Sequence, residues 1–382
     1  MFGMFNSKAR AQKSANANFI AACEGGDWLE AKRLLGEGAQ LDAAGGDGYK
    51  ALACAAAAGQ AGIVAKLLDA GAECDARNTA GETALFCAAS AGALDCMRVL
   101  LDRGAAVDAA DVYGRTPLGI SVVNGRYDAA RLLIERKADV NARQDGSTAL
   151  TVAAKNRRND FVKLLVDAGA DASVAGSSRR TPLMTAAADG NTDLARLLLA
   201  AKDCALDARD DDNWTALAHA VENGRHDVVK LLLEAGADPE TVDSRGLTPF
   251  NRAVSDGRTE IMSLLQAKGV RLDVRDNDGD TPLHMAAAHE NLEAVRLLLR
   301  WGADLEVRNS ENQTAFEIAE DMNEDIENLL RDEEDLRARG KAFCQQPRQA
   351  PEPEPKPAPP IPRVAPATNE NEPSGSRKQF QL

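Results

Sequence analysis

The chain has 382 residues, with 45 Lys and Arg against 59 Asp and Glu, a net charge of −14 and a pI near 4.9. That acidic balance lacks the basic footprint of general nucleic-acid binding, and without a run of about 20 apolar residues no membrane span is expected. Seven cysteines, at 23, 54, 74, 87, 96, 204 and 344, are odd in number and follow no disulfide framework, which points to a reducing, cytoplasmic setting.

Residues 1–15 read as a basic, flexible segment, and Met1-Phe2-Gly3-Met4-Phe5 is too short for a signal-peptide core. A degenerate helical unit follows at 17–44. Lys50, Thr83, Thr116, Thr148, Thr181, Thr215, Thr248, Thr281 and Thr314 then open matching segments, in steps of 33, 33, 32, 33, 34, 33, 33 and 33 residues. A fixed period in this range signals stacked supersecondary units and a long binding surface rather than a deep pocket. Each opener precedes Ala or Pro and then Leu or Phe, as in Thr116-Pro117-Leu118. Thr suits an N-cap and Pro the first helical position, so each opener predicts a helix start.

The first helix of each unit carries small residues, such as Ala286-Ala287-Ala288, which allow close approach of neighbouring helices. Nine residues after the opener stands Gly59, Gly92, Gly125, Gly190, Gly224 or Gly257, suited to a left-handed helix end. The second helix carries Leu pairs, such as Leu164-Leu165, expected to fill the core between units. Another Gly precedes the opener by two residues (Gly48, Gly81, Gly114, Gly146, Gly246, Gly279) and serves a turn. Arg157 and Glu290 replace the inter-helix Gly, and Arg179, Asn213 and Asn312 replace the turn Gly. The turn before Thr148 is one residue short and the segment before Thr215 one residue long. Drift in loops and a partner-shaped surface both account for these departures.

The last unit, 310–340, has eleven acidic residues against three Arg and reads as a solvated cap. From 341 to 382 the chain is Pro-rich, with Pro351-Glu352-Pro353-Glu354-Pro355, and is expected to be disordered. A spacer, a ligand for an SH3-like groove and a terminal signal at Phe380-Gln381-Leu382 are the readings open for it.

The run Asp278-Gly279-Asp280-Thr281-Pro282-Leu283-His284-Met285-Ala286, continued by Leu297-Leu298-Leu299 and Gly302-Ala303-Asp304, resembles the ankyrin repeat. The resemblance covers about 16–340. It implies an all-α solenoid of stacked helix-turn-helix units with finger loops: a degenerate N-terminal cap, about eight full repeats and an acidic C-terminal cap. It also implies a protein partner bound along the concave face and finger tips. Carried over by motif position, the finger residue before each opener includes Tyr49, Arg115, Ser147, Arg180, Trp214 and Leu247. Exposed first-helix positions, seven and eight after the opener, include Val123, Lys155, Asn156, Asp189, Glu222 and His289.

Large side chains at Tyr49, Tyr113, Trp214 and Leu247 are expected to anchor a partner; for Trp214, packing on its neighbouring finger is the alternative. Charge is sorted too. Residues 142–181 carry seven basic side chains, among them Lys155, Arg157, Arg158, Arg179 and Arg180, against four Asp, whereas 205–243 carry ten acidic against three basic. A bipolar docking surface and ordinary solvated charge both fit that sorting.

No enzyme is expected. His219, His226, His284 and His289 have no Cys pair at metal spacing, His284 fits a structural hydrogen bond of the motif, and Cys54 and Cys87 fit a stacked buried layer. No cofactor, metal or catalytic set is read. The function expected is a monomeric, cytoplasmic, non-enzymatic scaffold binding an unidentified protein, with a secreted bacterial effector and a regulatory subunit of an enzyme as alternatives.

Overall fold

A computed structural model describes residues 2–45, 48–320 and 322–338; the Pro-rich segment lies outside the described residues. Helices alternate in pairs along the chain, for example Ala84–Ala91 with Leu94–Asp102, Pro117–Val123 with Tyr127–Glu135, and Ala149–Lys155 with Asn159–Asp167. First helices pack on first helices of the neighbouring repeats and second on second. The fold is the expected helical solenoid, with one short two-stranded hairpin among the described residues.

Local chemistry sets the boundaries. Thr83, Thr116, Thr181, Thr215 and Thr248 each accept the amide of the third residue on, at 3.1–3.2 Å, an N-cap worth about 1 kcal/mol. Gly92 and Gly190 end their helices at φ 80° and 73°. One Leu per second helix, at Leu67, Leu100, Leu133, Leu165, Leu198, Leu232, Leu265 and Leu298, is fully buried between repeats. The repeats thus share one continuous core that none could build alone.

Two side-chain rows staple repeat to repeat. Asp75, Asp108, Asn141, Asp207, Glu240 and Asp273 each accept an amide of the next repeat at 2.8–3.2 Å. Ser173 holds the corresponding place in the first row, and its hydroxyl donates instead to Asp171 of its own repeat at 2.6 Å. On the other side, Arg126, Arg158, Arg225 and Arg258 reach back to carbonyls of the preceding first helix.

The N-terminus differs from expectation. A helix Phe2–Glu24 runs through residues read from composition as flexible. Phe19 and Cys23 are fully buried, and the helix continues upstream through Ala, Gln and Lys, good helix formers. Gln12 donates to the Gly38 carbonyl at 2.7 Å, and Asn16 accepts the Gln40 amide at 3.0 Å, tying this helix to the following loop.

Candidate functional site

Most finger turns are organised by an Asp or Asn five residues before the opener. Asp111 accepts the amides of Tyr113 and Arg115, Asp243 those of Arg245 and Leu247, and Asp276 those of Asp278 and Asp280, all at 2.8–3.0 Å. The exposed tip therefore falls three and four residues before the opener. In most fingers the residue just before the opener turns inward, because side chains alternate along the hairpin; Arg180 stays exposed.

That geometry corrects the expectation for several finger residues. Leu247 is only 8% exposed and belongs to the core, so it anchors no partner. Tyr49 is half-buried and its hydroxyl donates to Glu82, a bond that, with burial, pushes the phenol up to about 12. Arg115 sits on the other side of Glu82 at 3.4 Å and pairs with buried Asp111 at 2.6 Å. Tyr49, Glu82 and Arg115, spaced by the repeat period, form a row that ties three repeats together. Tyr113, one step nearer the tip, is 58% exposed beside Val112 at 64%, with the Arg115 guanidinium 5.3 Å from its ring centre.

Trp214 packs inside the array. The guanidinium of buried Arg252 lies 3.7 Å from its ring centre and the His219 ring is 5.0 Å away. His219 and Arg252 occupy the same position in successive repeats, four after the opener, and each bonds the finger Asp of its own repeat. His219 Nε2 is 2.8 Å from Asp210 Oδ2, and Arg252 donates to Asp243 and, at 2.8 Å, to Glu222. Arg180 is 3.2 Å from His219 Nδ1; a guanidinium only donates, so Nδ1 accepts and Nε2 carries the proton toward Asp210. Burial, helped by Arg180 and opposed by the Asp210 hydrogen bond, holds the imidazole below its ordinary pKa of 6.5.

The basic cluster is likewise divided. Arg158 is a structural staple on the Val122 carbonyl, lying over Phe161, and is not a free docking charge. Arg157 is exposed and pairs with Asp189 at 2.9 Å. Lys155 and Arg179 are exposed. The positions lacking glycine keep glycine's conformation: φ is 55° at Arg157, 56° at Glu290, 53° at Arg179, 63° at Asn213 and 62° at Asn312.

A recess of about 680 Å³ opens where the period falters, lined by Ser147, Lys155, Ser177, Arg180, Thr185 and Asp210 to Asp212, among others. Its origin is local. The short finger closes as the antiparallel pair Arg143–Gln144 and Ser147–Thr148 around Asp145 and Gly146, at φ 46° and 77°, the two-residue turn that two left-handed residues permit. The next finger has Gly176 where most others have Asp or Asn, loses its side-chain cap, and curls through Ser177–Arg179 with Ser178 and Arg179 both at positive φ. Elsewhere finger amides bond to the preceding finger, as Ser244 to Asp212 and Asn277 to Arg245, at 3.1–3.2 Å. No such bond joins the short finger to either neighbour among the described residues. Four after the opener these repeats carry Val152 and Thr185, too short to fill the space that His219 and Arg252 fill further on.

The sequence singled out this stretch by its 32- and 34-residue steps but missed the recess. Its signals were Gly176 in place of the finger Asp and Ser173 in place of the staple. The long step resolves as an extra residue between the helix Thr192–Leu199 and Asp207. Outside the recess, His284 takes the structural part read for it, 2.7 Å from Thr281 Oγ1 and 3.0 Å from the Gln313 carbonyl. Burial pushes the Cys87 thiol up to about 12, so it stays protonated near neutral pH. Among the described residues no group of three His, Cys, Asp or Glu is placed to hold a metal, and no helix is long and apolar enough to cross a membrane.

Residues 62–144, 111–175, 150–243 and 236–309 match the model of ankyrin repeats (3 copies). The chain belongs to the ankyrin repeat family. It is similar to the solved ankyrin repeat domain of Bcl-3, there called a unique member of the IkappaB protein family, with a TM-score of 0.53 and 30% identity over 57% of this chain and 99% of that one. It is also 46% identical over 59 residues to the 26S proteasome non-ATPase regulatory subunit 10 of Dictyostelium discoideum, a match covering 15% of this chain and 25% of that protein.

Proposed function

We propose that the protein is a non-catalytic scaffold that binds a partner protein across its first helices and finger tips, centred on the third to sixth fingers. The observation that carries this reading is the pair Val112 and Tyr113, large apolar side chains 64% and 58% exposed on a finger tip. Such side chains on an otherwise polar surface are characteristic of an interface. Lys155 and Arg179, exposed in the neighbouring repeats, supply charge at its edge. A preformed array spends little ordering entropy on binding.

A cytoplasmic setting is supported by six free cysteines among the described residues. A regulatory-subunit reading draws on the name of the proteasome relative, over the short stretch it shares. The effector reading rests on the Pro-rich segment, which lies outside the described residues.

Affinity capture from native lysate tests the scaffold. Val112→Ser with Tyr113→Ser is expected to lose the captured proteins while the melting temperature holds. Retention of every captured protein at full strength by this variant overturns the assignment of the face.

A further inference from the structure

Resting on that scaffold reading, we propose that the recess takes an extended segment of the partner carrying a basic and an acidic side chain a few residues apart. The basic side chain lies against Asp211 and Asp212, and the acidic one against Lys155.

Charges around the recess fall into two sets. Arg157 is paired with Asp189 and Asp210 is bonded to His219, while Arg158 is held by the Val122 carbonyl and Arg180 by the neutral His219 ring, which fix their positions but leave their charge. By contrast, Lys155, Asp211 and Asp212 are exposed, line the same cavity, and make no ion pair or side-chain hydrogen bond among the described residues. Opposite charges thus face one volume without meeting. Since Asp210 is spent on His219 and on the finger amides, the acidic pole consists of Asp211 and Asp212 alone.

This arrangement selects the ligand. A purely anionic group meets Asp211 and Asp212, and a purely cationic one meets Lys155, so either gains at one pole and loses at the other. A segment carrying both signs in the right order satisfies both. The volume, about 680 Å³, is within the range of binding pockets and suits a few residues rather than a folded domain. Hydroxyls of Ser147, Ser177 and Thr185 line it and offer hydrogen bonds to an extended backbone. The missing finger-to-finger bonds leave room along the tips for such a segment to pass.

The test selects short random peptides displayed on phage against the full chain, then measures the selected peptides by fluorescence anisotropy. Enriched peptides are expected to carry Lys or Arg within a few positions of Asp or Glu. Reversing two exposed charges with Asp211→Lys and Asp212→Lys is expected to weaken a selected peptide about tenfold. The same peptide with its basic residue changed to acidic recovers affinity for that variant. Lys155→Glu is rescued by the opposite exchange. The three sites are exposed, so an unchanged melting temperature verifies folding. Absence of enriched peptides, peptides without the charge pairing, or affinity changes under about twofold in both variants overturn the inference. Capture of a cellular partner that depends on Val112 and Tyr113 but ignores both charge variants leaves the scaffold standing and removes only the recess ligand. Selected peptides that obey the charge rule, with no cellular partner depending on Tyr113, instead locate the failure in the docking face proposed above.

Discussion

Replacing Trp214 with Ala distinguishes a structural side chain from a free anchor. Full burial of such a ring is worth about 3–5 kcal/mol on truncation, and Trp214 is half-buried, so roughly 2 kcal/mol of packing is lost. The Arg252 guanidinium, 3.7 Å from the ring centre, adds about 0.5–1 kcal/mol for a partly desolvated cation–π contact. The loss also strips cover from Arg252, whose Nε already has no acceptor. The expected destabilisation is about 2–3 kcal/mol. Trp214→Leu, which keeps part of the packing and drops the cation–π contact, falls about midway. Urea unfolding followed by far-ultraviolet circular dichroism measures both, with Tyr113→Ser as the exposed comparison expected within about 0.5 kcal/mol of wild type. A Trp214→Ala change under about 0.5 kcal/mol refutes the interior reading and restores Trp214 as an available anchor.

Two further outcomes follow from the same region. The His219 pKa is depressed by burial, so the unfolded chain takes up the proton first on acidification; this contribution to stability is present above about pH 6.5 and is lost as pH falls from there toward the folded pKa. His219→Gln is expected to flatten the pH dependence of the melting temperature in that window, and identical slopes in both proteins reject the assignment. Arg157 holds a backbone angle of φ 55° where neighbouring repeats have glycine, so Arg157→Gly is expected to raise the melting temperature by about 2 °C despite losing its exposed ion pair; a fall shows that the Asp189 contact outweighs the backbone strain.

The sequence alone determined the architecture, because period, caps and core are local and repeated. Thr at each opener caps a helix wherever it recurs, glycine or its substitutes turn the chain at positive φ, and one Leu per second helix meets the next repeat at the same place. Even the faltering steps were legible as the stretch to probe. The candidate site was legible only in outline. Tyr113 was picked out as an exposed aromatic, and Lys155 and Arg179 as exposed charges. Residue type and motif position point Leu247 and Arg158 to the surface, because neither reports which way a side chain turns.

What tertiary structure decided was pairing between residues a whole repeat apart. Arg158 is consumed by a carbonyl of the preceding repeat, Trp214 by an arginine of the following one, and Tyr49 by a glutamate one period on. The recess, too, depends on the short finger, Gly176 and the small side chains Val152 and Thr185 acting together across adjacent repeats. A linear reading assigns each residue its place within a repeat; which charges are spent and which remain free depends on the neighbour that stacking brings against it.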